Sequence, residues 1–141
     1  MKTNRKKDPQ KPELPAKSTS ALRDVPLTDL EDERIYENVS VTSPQPPSHT
    51  AKFVVLRASD AKNADFAASE LPKLHITDVT LTECDLSNAD FGECSATRVL
   101  IENSRLIGFR ALDSAWEDLT IKNCQMTYAT FGESSFKRAR C

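Results

Sequence analysis

Residues 84–133 read CDLSN ADFGE CSATR VLIEN SRLIG FRALD SAWED LTIKN CQMTY ATFGE, and the third letter of every block of five is apolar. The register extends beyond this stretch on both sides. Leu56, Ala61, Phe66, Leu71, Ile76, Leu81, Leu86, Phe91, Ala96, Ile101, Leu106, Ala111, Trp116, Ile121, Met126, Phe131, Phe136 and Cys141 are eighteen apolar residues at five-residue spacing without a miss. At the chain-average apolar content of 38%, such a run has a chance probability on the order of 10⁻⁷. Two residues before each of these stands another small or apolar residue, from Val54 and Ser59 through Cys84, Ala89 and Cys94 to Ser134 and Ala139.

A period of five matches neither the 3.6 of a helix nor the 2 of a strand, so the chain must turn a corner every five residues. Four corners close a square, which makes twenty residues one coil. Stacked coils then pair their backbone amides at the strand spacing of about 4.8 Å. Eighteen repeats make about 4.5 coils and a rod of about 22 Å.

Residues twenty apart should share core volume, and they do. In the column Leu71, Phe91, Ala111, Phe131, the one small residue is the one preceded by the bulky Phe109 in place of Ser69, Ala89 or Ala129. In the column Ile76, Ala96, Trp116, Phe136, the small Ala96 makes room for the indole of Trp116. A close-packed interior requires such compensation.

Three regions divide the chain. Residues 1–20 are rich in Lys, Pro and polar residues and read as a disordered basic tail, because nothing in them repays the entropy of ordering. Residues 21–52 read as an N-terminal capping segment. In it Val39 and Val41 already fall in the five-residue register, the acidic run Asp29 to Glu33 reads as a loop or one helical turn, and Thr42 to Thr50 reads as a Pro-rich loop inserted in the first coil. Residues 53–141 carry the continuous array. It ends mid-coil in the basic run KRARC with no polar cap, which implies a fragment truncated at its C-terminus or an end covered by a partner.

The blocks CDLSN (84–88), ADFGE (89–93), ADFAA (64–68) and ATFGE (129–133) resemble the repeating unit of pentapeptide-repeat proteins, and the match runs from Val54 to Cys141. The resemblance implies an all-β fold, a right-handed quadrilateral β-helix, and little about activity, since most members have no assigned biochemical role. It also implies one specific mechanism as an alternative: the best understood members imitate B-form DNA and bind DNA gyrase or topoisomerase IV in its place, protecting the enzyme from quinolones. Against that, residues 53–133 hold only thirteen acids against seven bases, and no C-terminal helix follows to make a dimer. Fold by itself does not confer function.

The expected role is therefore a non-enzymatic protein-interaction module in the cytoplasm of a bacterium. Its partner is unidentified, and no small-molecule substrate, direct nucleic-acid contact or membrane contact is expected. No residue is assigned a catalytic, cofactor-binding or metal-ligating role, and no cofactor is expected. Cys84, Cys94, Cys124 and Cys141 lack CxxC spacing with each other or HxxxH partners in His49 and His75, and three of them fill the small inward slot. His75 has Ser95 and Ala115 as its column neighbours, which do not make a triad. Gly92, Gly108 and Gly132 form no phosphate-binding loop.

The acids Asp60, Asp65, Glu70, Asp78, Glu83, Asp85, Asp90, Glu93, Glu102, Asp113, Glu117, Asp118 and Glu133 are the candidates for a DNA-like surface, and Arg57, Lys62, Lys73, Arg98, Arg105, Arg110 and Lys122 interrupt them. Outward apolar residues, Val55, Leu100, Ile107, Leu112 and Tyr128, mark a candidate partner surface, which residues 21–41 could instead cover from within the chain. The basic start, Lys2, Arg5, Lys6 and Lys7, reads as solvated. No apolar run reaches the roughly 18 residues of a membrane span, and no apolar core of a signal peptide is seen.

Overall fold

The computed structural model of the chain describes residues 9–12, 22–43 and 49–141. The described residues form a parallel β-solenoid with eight strands: β1 (Arg23–Pro26), β2 (Ile35–Glu37), β3 (Val39–Thr42), β4 (Val55–Lys62), β5 (His75–Thr82), β6 (Ser95–Glu102), β7 (Ala115–Lys122) and β8 (Ser135–Arg140). From β3 to β8 every pairing is parallel and offset by twenty residues, as in Ile76↔Ala96, Trp116↔Phe136 and Val99↔Leu119. The two faces without named strands keep the same step through single bridges, Asp65↔Asp85↔Arg105↔Gln125 and Glu70↔Asp90↔Arg110↔Thr130.

The corners are in the backbone dihedrals. Every fifth residue from Phe53 to Arg138 has a positive φ, between 49° and 70°, and Gly108 is the one glycine among them. On two of the corners the turn is closed by a hydrogen bond from the residue after the left-handed one to the apolar residue three before it: Ser69 N–H to Phe66 O, Ala89 to Leu86, Phe109 to Leu106, Ala129 to Met126 and Ser134 to Phe131. A left-handed third residue is what a tight four-residue turn of this kind demands. The corner rule therefore explains the period of five, because the chain can bend at that position only if the inward residue two before it anchors the turn in the core.

Of the eighteen residues at the centre of each repeat, those from Leu56 to Ile121 are all buried. Met126 and Phe131 are half-buried and Phe136 is 46% exposed, because no further coil of this chain covers them. The expected volume exchange is realised. Phe109 sits over the small Ala111, with its ring 5.1 Å from Phe91 and 5.8 Å from Phe131, and Phe131 also meets Trp116 at 6.1 Å.

The stack is longer than the 4.5 coils read from the sequence, at about six turns. β1 pairs with β3 in the register Arg23↔Val39, and β2 pairs with β4 in the register Ile35↔Val55. This first turn holds sixteen residues from Arg23 to Val39 in place of twenty, which is why the five-residue pattern does not reveal it. A short 3-10 turn, Leu27–Asp29, takes up the acidic segment, and Leu27 and Leu30 are 1% and 2% exposed over the end of the core. On either side of the Pro-rich segment Val41↔Ala61 and Thr50↔Glu70 both keep the twenty-residue step, so residues 41–50 are as many as residues 61–70 of the next coil and the count leaves no room for an inserted loop. Residues 44–48 of that segment lie outside the described residues, as do residues 1–8 and 13–20 of the expected tail and residue 21.

Candidate functional site

The small inward slot does more than fill space. Where it holds serine, the hydroxyl accepts the main-chain N–H twenty residues earlier: Ser59 from Val39 at 3.2 Å, Ser69 from His49 at 3.1 Å, Ser104 from Cys84 at 3.1 Å, Ser114 from Cys94 at 2.9 Å and Ser134 from Ser114 at 3.0 Å. Several of these hydroxyls also donate to carbonyls, as Ser104 does to Glu102 O at 2.9 Å and Ser134 to Ala111 O at 2.8 Å. The serines are thus clips between coils, a role the packing pattern alone does not reveal.

The four cysteines are free thiols. Cys84 and Cys94 are buried, and desolvation pushes their pKa values up to about 11 and about 12. Cys124 is half-buried with its Sγ 3.3 Å from Lys122 O, and Cys141 is exposed. Among the described residues no group of three or more His, Cys, Asp or Glu side chains could hold a metal ion. His49 places Nε2 2.8 Å from Leu30 O, where it ties the N-terminal turn to the second coil. His75 is exposed and stacks on Ser95, which stacks on Ala115, as its column predicts. A polar hollow of about 470 Å³ runs beside one corner, lined by Asn63, Glu83, Asp85, Asn103, Arg105 and Gln125 among others. It brings together carboxamides and charges of both signs, without an activated nucleophile.

The acids are largely committed to the fold. Asp65, Asp85 and Asp90 each accept the N–H two residues on, from Ala67, Ser87 and Gly92, all at 2.9 Å, and so shape the turns. Asp60 accepts from Ser40 Oγ. Along the corner that bisects the long strands, acid and base alternate as Asp78, Arg98, Asp118, Arg138. Arg98 grips Asp78 through Nε and a terminal nitrogen at 2.6 and 2.9 Å, and Arg138 grips Asp118 at 2.6 and 3.0 Å while reaching Glu117 at 2.6 Å. The guanidinium of Arg138 holds the Asp118 carboxyl below the usual carboxylate range. The signal was present in the sequence, an acid with an Arg twenty residues later, and it recurs at Glu37 and Arg57, 3.7 Å apart. One corner alone keeps acids in consecutive coils: Glu93, Asp113 and Glu133, all exposed.

The outward apolar residues separate into two groups. Val55, Leu100, Ile107 and Leu112 are half-buried, whereas Tyr128 is 84% exposed. Ile107 adjoins Gly108, and Tyr128 holds the same corner one coil on, whereas Leu112 adjoins the next corner, at Asp113. A Cβ on Gly108 would lie 2.4 Å from Asn88 Oδ1, and one on Gly132 would lie 3.2 Å from Leu112 Cδ2, so the two glycines leave the space that Asn88 and Leu112 occupy. Residues 22–42 do not cover this patch. They stack on the N-terminal end of the rod, because their main-chain groups pair with β4. Residues 9–12 lie at the diagonally opposite corner, where Gln10 N–H donates to Asp118 at 3.1 Å.

Among the described residues no helix is long and apolar enough to cross a membrane. A scan of protein-family models finds none that matches this chain, and a search of curated proteins finds none that matches it either.

Proposed function

We propose that this chain is a pentapeptide-repeat protein and acts as a non-enzymatic interaction rod, engaging a protein partner through the corner at Tyr128 and the outward apolar residues Ile107 and Leu112 on its two sides. The observation that carries this reading is Tyr128, a large aromatic side chain 84% exposed, the most exposed of the large apolar side chains among the described residues, ahead of Ile35 at 57%, Phe136 at 46% and Phe53 at 43%. Four free thiols favour a reducing compartment, and with it the bacterial cytoplasm. Photo-cross-linking from position 128 in cells, compared with position 57 beside the diagonally opposite corner, tests the reading. A defined adduct from 128 alone, lost in a Leu112→Glu variant, is the expected result. Equal labelling from both positions, or none, rejects it.

A second reading, imitation of DNA towards gyrase or topoisomerase IV, draws on the row Glu93, Asp113 and Glu133. Its support is narrower, because the remaining acidic columns are interrupted by arginine or spent on turns. Inhibition of gyrase supercoiling at sub-micromolar protein, lost when all three are changed to glutamine, would establish it. No effect from the parent would exclude it.

A further inference from the structure

Residues 9–12, Pro-Gln-Lys-Pro, belong to no strand, yet Pro9 and Pro12 are half-buried. They meet the rod 108 residues away in sequence, where Gln10 N–H donates to Asp118 Oδ1 at 3.1 Å. Asp118 is only 2% exposed, whereas Asp78, which makes the same two-pronged pair with arginine two coils earlier in the same corner column, keeps 15%. The Asp118 carboxylate is held from one side by Arg138 through both oxygens, so the lone pair that Gln10 reaches is fixed in direction. The prolines on either side fix their own φ and bias the residues before them towards extended conformations, so the segment presents its main chain at low entropic cost.

We propose that the corner at Asp118 is a docking site for an extended main chain, filled by this protein's own segment Pro9–Pro12, which acts as a strap. The reach is adequate. Asp118 lies about five coils from β1, about 24 Å at the strand spacing, and the ten residues from Pro12 to Leu22 extend to about 33 Å. The contact pins a segment far upstream in sequence to the coils containing β7 and β8, and it closes this corner to any other extended chain while the strap is seated.

The test is amide hydrogen exchange by NMR on the full chain. Pro9 and Pro12 carry no N–H, so the segment has two amides, and only that of Gln10 donates to the rod. Gln10 is expected to exchange roughly tenfold or more slowly than its intrinsic rate while Lys11 exchanges freely. Exchange of Gln10 at its intrinsic rate overturns the proposal. Gln10→Pro gives an independent reading, because it removes the donor without altering a single residue of the rod. The Asp118 side-chain carboxyl resonance and the amides of residues 117–119 should shift in that variant. If they stay where they are in the parent, the strap does not dock there.

Discussion

At the scale of single residues, the fold rests on what each inward slot and each corner will accept. Trp116 is 2% exposed, and its indole N–H has no partner among the described residues, so it serves by volume and not by hydrogen bonding. Trp116→Asp should lower stability by about 4 kcal/mol or more and abolish cooperative unfolding, since an unpaired charge in so narrow a core has no compensation. A parent-like urea transition would show that the inward register is misassigned. Gly108 is the corner where glycine is required twice over, by its φ of 70° and by Asn88 Oδ1 lying 2.4 Å from the missing Cβ. Gly108→Ala should cost about 1–2 kcal/mol, and adding Asn88→Ala should recover the clash but not the backbone strain, which a double-mutant cycle separates. The thiols divide by burial: with a thiol reagent under native conditions Cys141 should react first, and Cys84 and Cys94 only on unfolding.

At the scale of the corner and the strand, the recurring cost is the left-handed residue. Asn, Asp and Gly take many of these positions, but Ala68 has a φ of 58° and is exposed. Ala68→Gly should therefore stabilise the protein by about 0.5–1 kcal/mol, seen as a raised denaturation midpoint. The strand corner held by Asp118 and Arg138 carries a pH dependence. The folded pKa of Asp118 lies below its unfolded value, chiefly through the hydrogen bond from Arg138, so its contribution is present above the unfolded carboxylate range and is lost as pH falls through the folded pKa. Urea midpoints measured from neutral to acidic pH should fall less steeply in Asp118→Asn than in the parent. The ion pairs were readable as acid and arginine twenty residues apart once the coil length was known. The serine clips were not, because Ser, Ala and Cys are equivalent in volume at that slot and differ only in whether a hydroxyl meets a neighbouring N–H.

At the scale of the whole molecule, each coil touches only the coils beside it, so stability is a sum of local interfaces. The N-terminal end is sealed by Leu27 and Leu30, whereas at the other end Phe136 is 46% exposed. Hydrogen exchange should therefore be graded, slowest in β5 and β6 and fastest in β8. Uniform protection along the rod would mean that the chain unfolds only as one unit. The surface is also organised along the axis. Acid and arginine alternate down the corner Asp78, Arg98, Asp118, Arg138, whereas the corner at Tyr128 carries the most exposed of the large apolar side chains among the described residues.

The amino-acid sequence by itself determined the coil: the unbroken period of five set the corner spacing, the twenty-residue stack and the inward register, because an interior one side chain deep tolerates no miss. It could not determine the first turn or the reach of the segment at Pro9–Pro12. The sixteen-residue opening turn lacks the period, since its core contacts come from Leu27 and Leu30 in an irregular bend. The contact between Gln10 and Asp118 joins a main-chain N–H, which any residue but proline possesses, to a carboxylate 108 positions away. Only the tertiary structure brings such groups together, because a main-chain donor leaves no mark on the identity of the residue that carries it.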